Sequence, residues 1–327
     1  MLQEKKIAKF YKQKSVLVAG GAGFIGSFLV SRLVDLGSKV TVIVRPQTNC
    51  WRLENVKNKI KKIRLDLTNQ KAVKKTITLT SPQIIFNLAA TVGGSRSLSR
   101  LNEFIENNFL IARNLMASAA EKKVQKFIQM GTIEEYGMQE IPFLETQREM
   151  PISPYSLSTT MASHMALLFC RHKYLKTCVV RLAATFGPKQ GFGMLIPNFI
   201  RACLEGRDFK MNSGEQIRDF IFVDDVVWGL LAAGSNDIVV CETVNFGSNR
   251  GYKVKEIVNT INKIMGNPIK IRFGVEPYRP LDKMKFFMNS GKARKLLHWS
   301  ANTNLTTALR HTVNWYKENL DLIPKEK

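Results

Sequence analysis

The fold is decided by residues 15–33, SVLVAGGAGFIGSFLVSRL, in which an apolar run, a glycine-rich turn and an amphipathic helix follow one another without interruption. Gly20, Gly23 and Gly26 are spaced G-x-x-G-x-x-G, and Gly21 begins a G-x-G-x-x-G pattern with the last two. Glycine here permits a tight turn, lets backbone N–H groups approach a pyrophosphate, and lets the helix pack closely on the strand. The stretch therefore predicts the dinucleotide-binding start of a βαβ unit rather than an accidental glycine turn.

The rest of the chain alternates between strand-like and helix-like hydrophobic patterns. Apolar strand candidates occur at residues 15–19, 39–44, 61–65, 83–88, 126–130 and 177–182. Helical patterns lie between several of them, at residues 25–36, 102–122 and 158–173. This alternation predicts an α/β fold built on a doubly wound parallel sheet, the Rossmann arrangement.

The regular alternation ends near Gly187 and Pro188, where Pro- and Gly-bearing loops and shorter helices begin. We expect residues 1–182 to form the dinucleotide-binding Rossmann domain, with a return strand near residues 241–247. Residues 183–327 are expected to form mainly a smaller C-terminal lobe that binds the substrate.

The composition is that of an ordinary globular chain, with 327 residues and 45% hydrophobic content. The absence of a C-x-x-C pair indicates neither a zinc site nor a disulfide framework, so we expect small buried thiols. The cysteines in question are Cys50, Cys170, Cys178, Cys203 and Cys241. No apolar run reaches the length of a membrane span, and the first one carries the glycine turn, so we expect no membrane segment, no signal peptide and a cytoplasmic location.

The formal net charge of +23 invites a nucleic-acid interpretation, because Lys and Arg neutralise phosphates. The lysines are nevertheless spread through nearly every segment, and the densest groups, at residues 57–62 and 71–75, have no interleaved aromatic residues. We therefore expect no specific nucleic-acid binding, and the charge suits an anionic small substrate or a solvated surface. The four histidines form no ligand cluster, so no metal site is predicted.

Further motifs follow the glycine turn in a fixed order. They are Asp66-Leu67, Asn87-Leu88-Ala89-Ala90, Asn108, Gly131-Thr132, Tyr136-Gly137, Pro154-Tyr155, Arg181-Leu182, Phe186-Gly187-Pro188, GEQIRDFIFVDDVV from Gly214, Pro277-Tyr278-Arg279-Pro280 and Trp315-Tyr316. Together they resemble the extended short-chain dehydrogenase/reductase family, in particular its nucleotide-sugar branch. The resemblance covers nearly the whole chain.

This resemblance implies a cofactor site along the carboxyl ends of the strands. The turn from Gly20 to Gly26 would hold the pyrophosphate, Asp66 and Leu67 would meet the adenine, and Ala89 and Ala90 would line the nicotinamide side. The complete set of expected cofactor-binding positions is Gly20, Gly23, Phe24, Ile25, Gly26, Arg45, Asp66, Leu67, Leu88, Ala89, Ala90 and Asn108.

The resemblance also implies a catalytic pair and a substrate site. Thr132 stands where the family's hydroxyl residue polarises the substrate oxygen, and Tyr155 where its tyrosine exchanges a proton with that oxygen. Arg218 and Arg279 match arginines that grip the nucleotide diphosphate, for which a guanidinium fork is well suited. Leu195 is expected to contact the substrate as well.

The chain departs from the family pattern at Thr159, where a lysine follows the tyrosine by four residues in other members. That lysine would hold the nicotinamide ribose and lower the tyrosine pKa. Without it we expect the pKa of Tyr155 near the free value of about 10, which leaves the phenol neutral at pH 7. A neutral phenol can donate a proton but does not readily take one, so the change should harm oxidation more than ketone reduction.

Two further positions bear on the reaction. Arg45 lies 19 residues past Gly26 (45 − 26), where an acidic residue would bind the ribose hydroxyl of NAD, so the arginine favours the 2′-phosphate of NADP(H), with NAD(H) as the alternative. Family dehydratases carry Asp-Glu after the hydroxyl residue, whereas this chain has Ile133 and Glu134, which argues against a 4,6-dehydratase. Glu134 is retained as an acid/base candidate. Asn87 and Ala184 also depart from usual family residues, and leave the sugar unassigned.

We therefore predict an NADP(H)-linked 4-ketoreductase of a nucleoside-diphosphate 4-keto-6-deoxy sugar. One alternative is a nucleotide-sugar 4-epimerase, or 4,6-dehydratase, using NAD. The others are a catalytically silent dinucleotide-binding sensor or scaffold, and a chain in which the lysine was replaced by engineering. Family members pair two helices into a four-helix bundle, so we also expect a homodimer. The corresponding helix here carries a stripe of Ser158, Met161, Met165 and Leu168.

Overall fold

The computed structural model describes residues 2–93 and 96–324. Its strands are β1 (Ser15–Ala19), β2 (Lys39–Val44), β3 (Ile60–Arg64), β4 (Ile84–Asn87), β5 (Lys126–Thr132), β6 (Thr177–Leu182), β7 (Ala184–Phe186), β8 (Phe209–Lys210), β9 (Ile217–Arg218), β10 (Phe220–Phe222), β11 (Glu242–Phe246), β12 (Tyr252–Lys253), β13 (Ile271–Arg272) and β14 (Lys285–Phe286). Its helices are α1 (Leu2–Tyr11), α2 (Phe24–Asp35), α3 (Gln70–Thr80), α4 (Leu101–Phe104), α5 (Ile111–Glu121), α6 (Pro154–Arg171), α7 (Leu195–Leu204), α8 (Val223–Ser235), α9 (Val254–Ile264), α10 (Gly291–Leu297) and α11 (Leu305–Asn319).

A seven-stranded sheet forms the centre of the molecule, in the order β11-β6-β5-β4-β1-β2-β3. Every neighbouring pair in it is parallel, and helices cover both faces. This confirms the predicted doubly wound α/β fold. All the strands expected from periodicity occur, with ends within two residues of their predicted positions. β11 lies beside β6 at the edge of the sheet.

The order in which strands are added to the sheet reverses beside β1, since β2 and β3 lie on one side of it and β4 to β6 on the other. Loops leaving β1 and β4 therefore part to opposite faces and open a crevice at the carboxyl ends of the strands, the usual ligand position in such sheets. The residues Val16 to Ala19 are fully buried, as expected for a strand covered on both faces. At the far edge, β3 exposes Lys61, Lys62 and Arg64, charges that discourage pairing with another chain.

The segment predicted as one helix over residues 102–122 is divided. Between α4 and α5 lies a π-helical turn, Ile105–Leu110, which includes the buried Asn108. Such turns widen the hydrogen-bonded spiral and are frequent at functional sites. Here the widening carries the Asn108 amide toward the loop after β4.

The smaller lobe contains α7, α9 and α11 around its own apolar core, with the short strand pairs β7-β10 and β8-β13 and the three-stranded sheet β12-β9-β14. Phe199, Ile257, Leu309 and Tyr316 are among its fully buried side chains. No helix in the described residues is long and apolar enough to cross a membrane.

The expectation that all cysteines are free thiols is wrong at two positions. Cys170 and Cys241 form a disulfide, with Cα atoms 5.4 Å apart. Cys170 lies in the last turn of α6, and Cys241 directly precedes β11. Strand β11 pairs with β6, the strand that follows α6. This pairing brings together residues 71 apart in sequence, which cysteine spacing alone does not reveal. Cys50, Cys178 and Cys203 are free, as expected.

Candidate active site

The glycine turn has the geometry of a pyrophosphate cradle. Gly20 has a φ of +76°, and a Cβ atom there would lie 2.6 Å from the Leu88 carbonyl oxygen, so a side chain is excluded. The Gly23 N–H donates to the Gly20 carbonyl at 2.9 Å, which closes the turn. Helix α2 then begins at Phe24 with no capping side chain and no acidic residue in its first turn. Its first N–H groups and positive dipole end thus suit an anion, and these residues fit a dinucleotide.

The expected adenine end of the crevice is preorganised around Asp66. Its carboxylate accepts hydrogen bonds from the Thr68 N–H at 2.9 Å and the Thr68 hydroxyl at 2.8 Å, which lower its pKa. Leu67 is buried, and the Asn114 amide donates to its carbonyl at 2.9 Å. Arg45 lies close enough for its charge to contribute to the lowered pKa of Asp66.

The Arg45 side chain is exposed at the end of β2 and reaches the loop after β4. Its Nη2 donates to the Thr91 hydroxyl at 3.2 Å and to the side-chain Oδ1 of Asn107 at 3.0 Å. The Arg64 guanidinium donates to the backbone carbonyls of Arg45 and Pro46. Arg45 therefore stands where an NAD-binding fold would offer a carboxylate, and Arg64 lies against its backbone.

On the expected nicotinamide side, Leu88, Ala89 and Ala90 form the loop that leaves β4. The Asn108 side chain binds both backbone groups of Thr91, the next residue of this loop. Its Oδ1 accepts from the Thr91 N–H at 2.7 Å, and its Nδ2 donates to the Thr91 carbonyl at 3.1 Å. The Nδ2 also donates to the Ser158 hydroxyl at 3.0 Å. Asn108 is therefore a brace between this loop and α6.

Thr132 and Tyr155, the expected catalytic pair, are brought together by the end of β5 and the start of α6. Burial raises the pKa of Tyr155, the negative charge of Glu134 raises it further, and hydrogen bonding with Thr132 lowers it. The expectation that the pKa of Tyr155 lies near the free value is therefore wrong, because its pKa is well above that value. The conclusion that the phenol is neutral near pH 7 holds more strongly.

Thr159 does not replace the missing lysine chemically. Its side chain is buried, and its hydroxyl donates to the Tyr155 backbone carbonyl at 2.8 Å, one helical turn back. Its hydroxyl also lowers the pKa of Tyr155 slightly by hydrogen bonding, a much weaker influence than a positive charge.

Glu134 lies beside the pair and is itself held on two sides. Its Oε2 accepts from Arg96 Nη1 at 3.0 Å and from the Ser153 hydroxyl at 3.3 Å. Ser153 in turn caps α6 through the Ser156 N–H at 3.0 Å. The carboxylate thus links the loop after β4 to the start of the tyrosine-bearing helix.

A buried ion pair behind Thr132 was not foreseen from the sequence. Glu135, fully buried, accepts from the Thr132 N–H at 2.8 Å and from Arg181 Nε at 2.9 Å. Arg181 also pairs with Glu149 and lies over the Tyr136 ring at 4.5 Å. The pair fixes the backbone at Thr132, so Glu135 positions the hydroxyl residue from behind.

The arginines expected to bind the diphosphate converge on one acid. Arg218 donates to Asp282 at 2.5 Å, and the more exposed Arg279 lies 3.9 Å from the same carboxylate. Burial lowers the pKa of Arg218, while the charges of Asp282 and Glu134 oppose that shift, so Arg218 is within electrostatic range of Glu134. Leu195 is half-buried at the first position of α7, in the smaller lobe.

The arrangement defines a class: a Rossmann protein whose glycine turn, threonine–tyrosine pair and paired arginines suit a dinucleotide and a nucleotide sugar. The model of the NAD dependent epimerase/dehydratase family matches residues 16–247. Because this is well over half of the chain, the protein belongs to that family.

Individual relatives are similar over almost their full length. A UDP-glucuronate 4-epimerase from Thermodesulfobacterium geofontis (strain OPF15) is 28% identical over 323 residues, which cover 95% of this chain and 98% of the relative. A dTDP-glucose 4,6-dehydratase from Neisseria meningitidis serogroup B is 28% identical over 335 residues, covering 94% of each chain. The crystal structure of a UDP-glucose 4-epimerase with UDP-glucose from Thermotoga maritima matches with a TM-score of 0.87 and 27% identity, covering 93% of this chain and 99% of that one.

Proposed function

We propose that the protein reduces the 4-keto group of a nucleoside-diphosphate 4-keto-6-deoxy sugar with NADP(H). The observation that carries this proposal is the state of Tyr155: burial and the Glu134 carboxylate raise its pKa, and Thr159 supplies no opposing positive charge. A phenol held in this way is poor at removing a proton from an alcohol. It can still donate its proton to an oxygen that becomes an alkoxide.

The residues divide the reduction between them. A bound nicotinamide cofactor would supply the hydride that adds to the C4 carbon. Thr132 donates a hydrogen bond to the carbonyl oxygen and so favours negative charge there. Tyr155 then transfers its phenolic proton to that oxygen, which completes the alcohol, and the phenolate recovers a proton from solvent.

The glycine turn and α2 would hold the cofactor pyrophosphate. Asp66 and Leu67 would hold its adenine end, and the loop from Leu88 to Ala90 would hold its nicotinamide end. Arg218 and Arg279 would hold the diphosphate of the sugar nucleotide beside the catalytic cluster. Arg45 and the neighbouring Arg64 favour NADP(H), because guanidinium groups bind a 2′-phosphate in a way that a carboxylate cannot.

The test is a reductase assay on a panel of nucleoside-diphosphate 4-keto sugars with NADPH and with NADH. We expect NADPH consumption with at least one sugar and a loss of about 10² to 10⁴ in rate for Tyr155→Phe, the usual contribution of a general acid. Retained binding of NADPH by this variant is the control for folding. NADPH binding without consumption across the panel would contradict the proposal.

The second candidate is a nucleotide-sugar 4-epimerase with tightly held NAD, favoured by the similarity to UDP-glucuronate and UDP-glucose 4-epimerases. Interconversion of a UDP-sugar at C4 without added cofactor, followed by NMR, would support it. The dehydratase alternative is less favoured because Ile133 replaces an acidic residue. Co-purified nucleotides identified by mass spectrometry address the non-catalytic alternative: a nucleotide sugar supports an enzyme, and cofactor alone favours a sensor.

We also propose a homodimer formed through α6 and the helical segment from α4 to α5. On α6, Leu168 is exposed and Met161 and Met165 are half-buried, as the predicted stripe requires. Ser158 is an exception, since it is buried and bonded to Asn108. Sedimentation should give twice the chain mass, and a monomer at micromolar concentration would refute the proposal.

A further inference from the structure

Two cations without an acidic partner lie close together between the glycine-turn helix and the smaller lobe. Arg52, in the 3₁₀ turn after β2, donates through Nε to the Lys189 carbonyl oxygen at 2.7 Å. Lys189, in the loop after β7, places its Nζ 5.7 Å from the centre of the Phe28 ring. Both side chains are half-buried, and no carboxylate forms an ion pair with either one among residues 2–93 and 96–324.

This juxtaposition is electrostatically unfavourable as it stands. Burial lowers the pKa of Lys189, and the positive charge of Arg52 lowers it further. Arg52 lies over the Trp51 ring at 4.5 Å, but an aromatic face attracts a cation without neutralising it. Partly desolvated like charges need a counter-charge, and the described side chains do not provide it.

The surroundings indicate what the counter-charge is. Phe28 lies one turn along α2 from Phe24, which opens the helix, and the two rings are 6.0 Å apart. Lys189 therefore lies beside the first two turns of α2, whose N-terminus itself attracts anions. At the next position, Gln190 is buried, and its Oε1 has no hydrogen-bond partner in the described part of the chain. This oxygen could therefore accept a hydrogen bond from a ligand donor such as a hydroxyl.

The backbone of Lys189 supports a binding role. Its φ is +65°, a left-handed value that costs free energy for a residue with a Cβ atom. Arg52 holds this conformation through the Lys189 carbonyl, and the Tyr316 hydroxyl donates to the carbonyl of Gln190. The loop is thus held from both lobes in the conformation that places the two cations side by side.

We propose that Arg52 and Lys189 form a clamp for a pyrophosphate group, closing over it from the side opposite the glycine turn. The inference rests on the proposed binding of a dinucleotide and a nucleotide sugar. Both ligands contain a pyrophosphate linkage, and the position beside α2 favours that of the cofactor. The clamp joins the 3₁₀ turn after β2 to the loop after β7, which belong to different lobes, so cofactor binding also draws the smaller lobe onto the Rossmann domain.

The test compares Arg52→Gln and Lys189→Gln with two matched controls. Lys57→Gln removes an exposed cation from the same 3₁₀ turn, where it pairs with Glu54, and Lys173→Gln removes an exposed lysine that also has a positive φ, +60°. Each variant loses one positive charge. Calorimetric titrations with NADPH, with UDP and with inorganic pyrophosphate, repeated at several salt concentrations, separate the sources of the ligand chemistry.

We expect each clamp variant to bind NADPH and inorganic pyrophosphate about tenfold to a hundredfold more weakly, the range for one hydrogen bond to a charged group, with a reduced salt dependence. The controls should bind like the parent. If UDP binding falls and NADPH binding does not, the clamp still exists but serves the nucleotide sugar. Equal affinities of clamp and control variants for all three probes overturn the inference.

Folding and function are separated by two further measurements. If Arg52→Gln lowers the melting temperature, Lys189→Gln carries the comparison, because it keeps the packing of Arg52 on Trp51. The titrations need no turnover, so the proposed reductase activity can fail while the clamp stands. Conversely, normal NADPH consumption with unchanged affinities in the clamp variants refutes the clamp alone.

Discussion

Replacing Thr159 with lysine should raise activity unequally in the two directions of the reaction. Thr159 lies one helical turn beyond Tyr155, and its hydroxyl donates to the Tyr155 carbonyl. A lysine there would place a positive charge near a phenol whose pKa is raised by burial and by Glu134. Because oxidation and epimerisation begin with proton removal by the phenolate, they gain both the shifted pKa and the ribose contact.

The magnitude follows from the kind of group restored. General acid/base groups contribute about 10² to 10⁴ in rate, so oxidation or epimerisation should rise by a sizeable part of that range in Thr159→Lys. Reduction already uses the neutral phenol and should gain less, mainly through cofactor placement. The oxidation rate should increase with pH in both proteins, and the increase should occur at a lower pH in the variant, since the added charge lowers the pKa of Tyr155.

The assay measures both directions for parent and variant over a pH series with a panel of nucleotide sugars. Thr159→Ser controls for the loss of the methyl group while keeping the hydroxyl. An unchanged rate in every direction, with a fully active parent, would refute the reasoning, because another group would then be tuning Tyr155. If both proteins are inactive although cofactor and nucleotide sugar bind, the non-catalytic alternative is favoured.

Further predictions concern the cofactor, the disulfide and two buried acids. Arg45→Ala should weaken NADPH binding about tenfold and leave NADH binding unchanged by fluorescence titration, the loss expected for one charge-assisted contact; tighter NADH binding by the parent would contradict it. Cys241→Ser should lower the unfolding free energy under oxidising conditions by about 4 kcal/mol, from a loop of 71 residues, and dithiothreitol should destabilise the parent but not the variant. Glu135→Gln should cost about 3 to 5 kcal/mol in urea unfolding, because Arg181 would lose its fully buried partner, and a loss below 1 kcal/mol would show that Glu149 suffices. Burial raises the pKa of Asp219 from 3.8 to about 6, so its ionisation should remove about 3 kcal/mol of stability between pH 4 and pH 7; Asp219→Asn should lack this decrease, and parallel pH profiles would refute it.

The sheet and the glycine turn could be predicted because their signals are local. The run from Ser15 to Leu33 contains the strand, the turn and the helix in order, and each later strand is marked by its own apolar residues. Tertiary packing left these predicted strand positions almost unchanged, since a parallel sheet covered on both faces requires continuous apolar runs. Edge strand β3, with exposed lysines, has the weakest signal, since Ile63 and Leu65 are the only apolar residues in the predicted segment 61–65.

Features that depend on juxtaposition could not be predicted in this way. Glu135 follows Thr132 without any periodic signal, and its role emerges only when β5 and β6 pair and set Gly131 opposite Arg181. The disulfide likewise requires the end of α6 and the start of β11 to meet at the same end of the sheet. The pKa expected for Tyr155 from the sequence is too low, because a sequence does not show how deeply Tyr155 is buried or that Glu134 lies near it.

The most direct test of the central proposal is isotope transfer in a single turnover. The protein is mixed with NADPH that carries deuterium at the transferable C4 position and with a nucleoside-diphosphate 4-keto-6-deoxy sugar, and the product is analysed by mass spectrometry and NMR. The account predicts an alcohol with one deuterium at the sugar C4 carbon, formed in proportion to the NADPH consumed, and no product with Tyr155→Phe on the same timescale. Unlabelled product, or C4 inversion of a UDP-sugar without net consumption of NADPH, would contradict it.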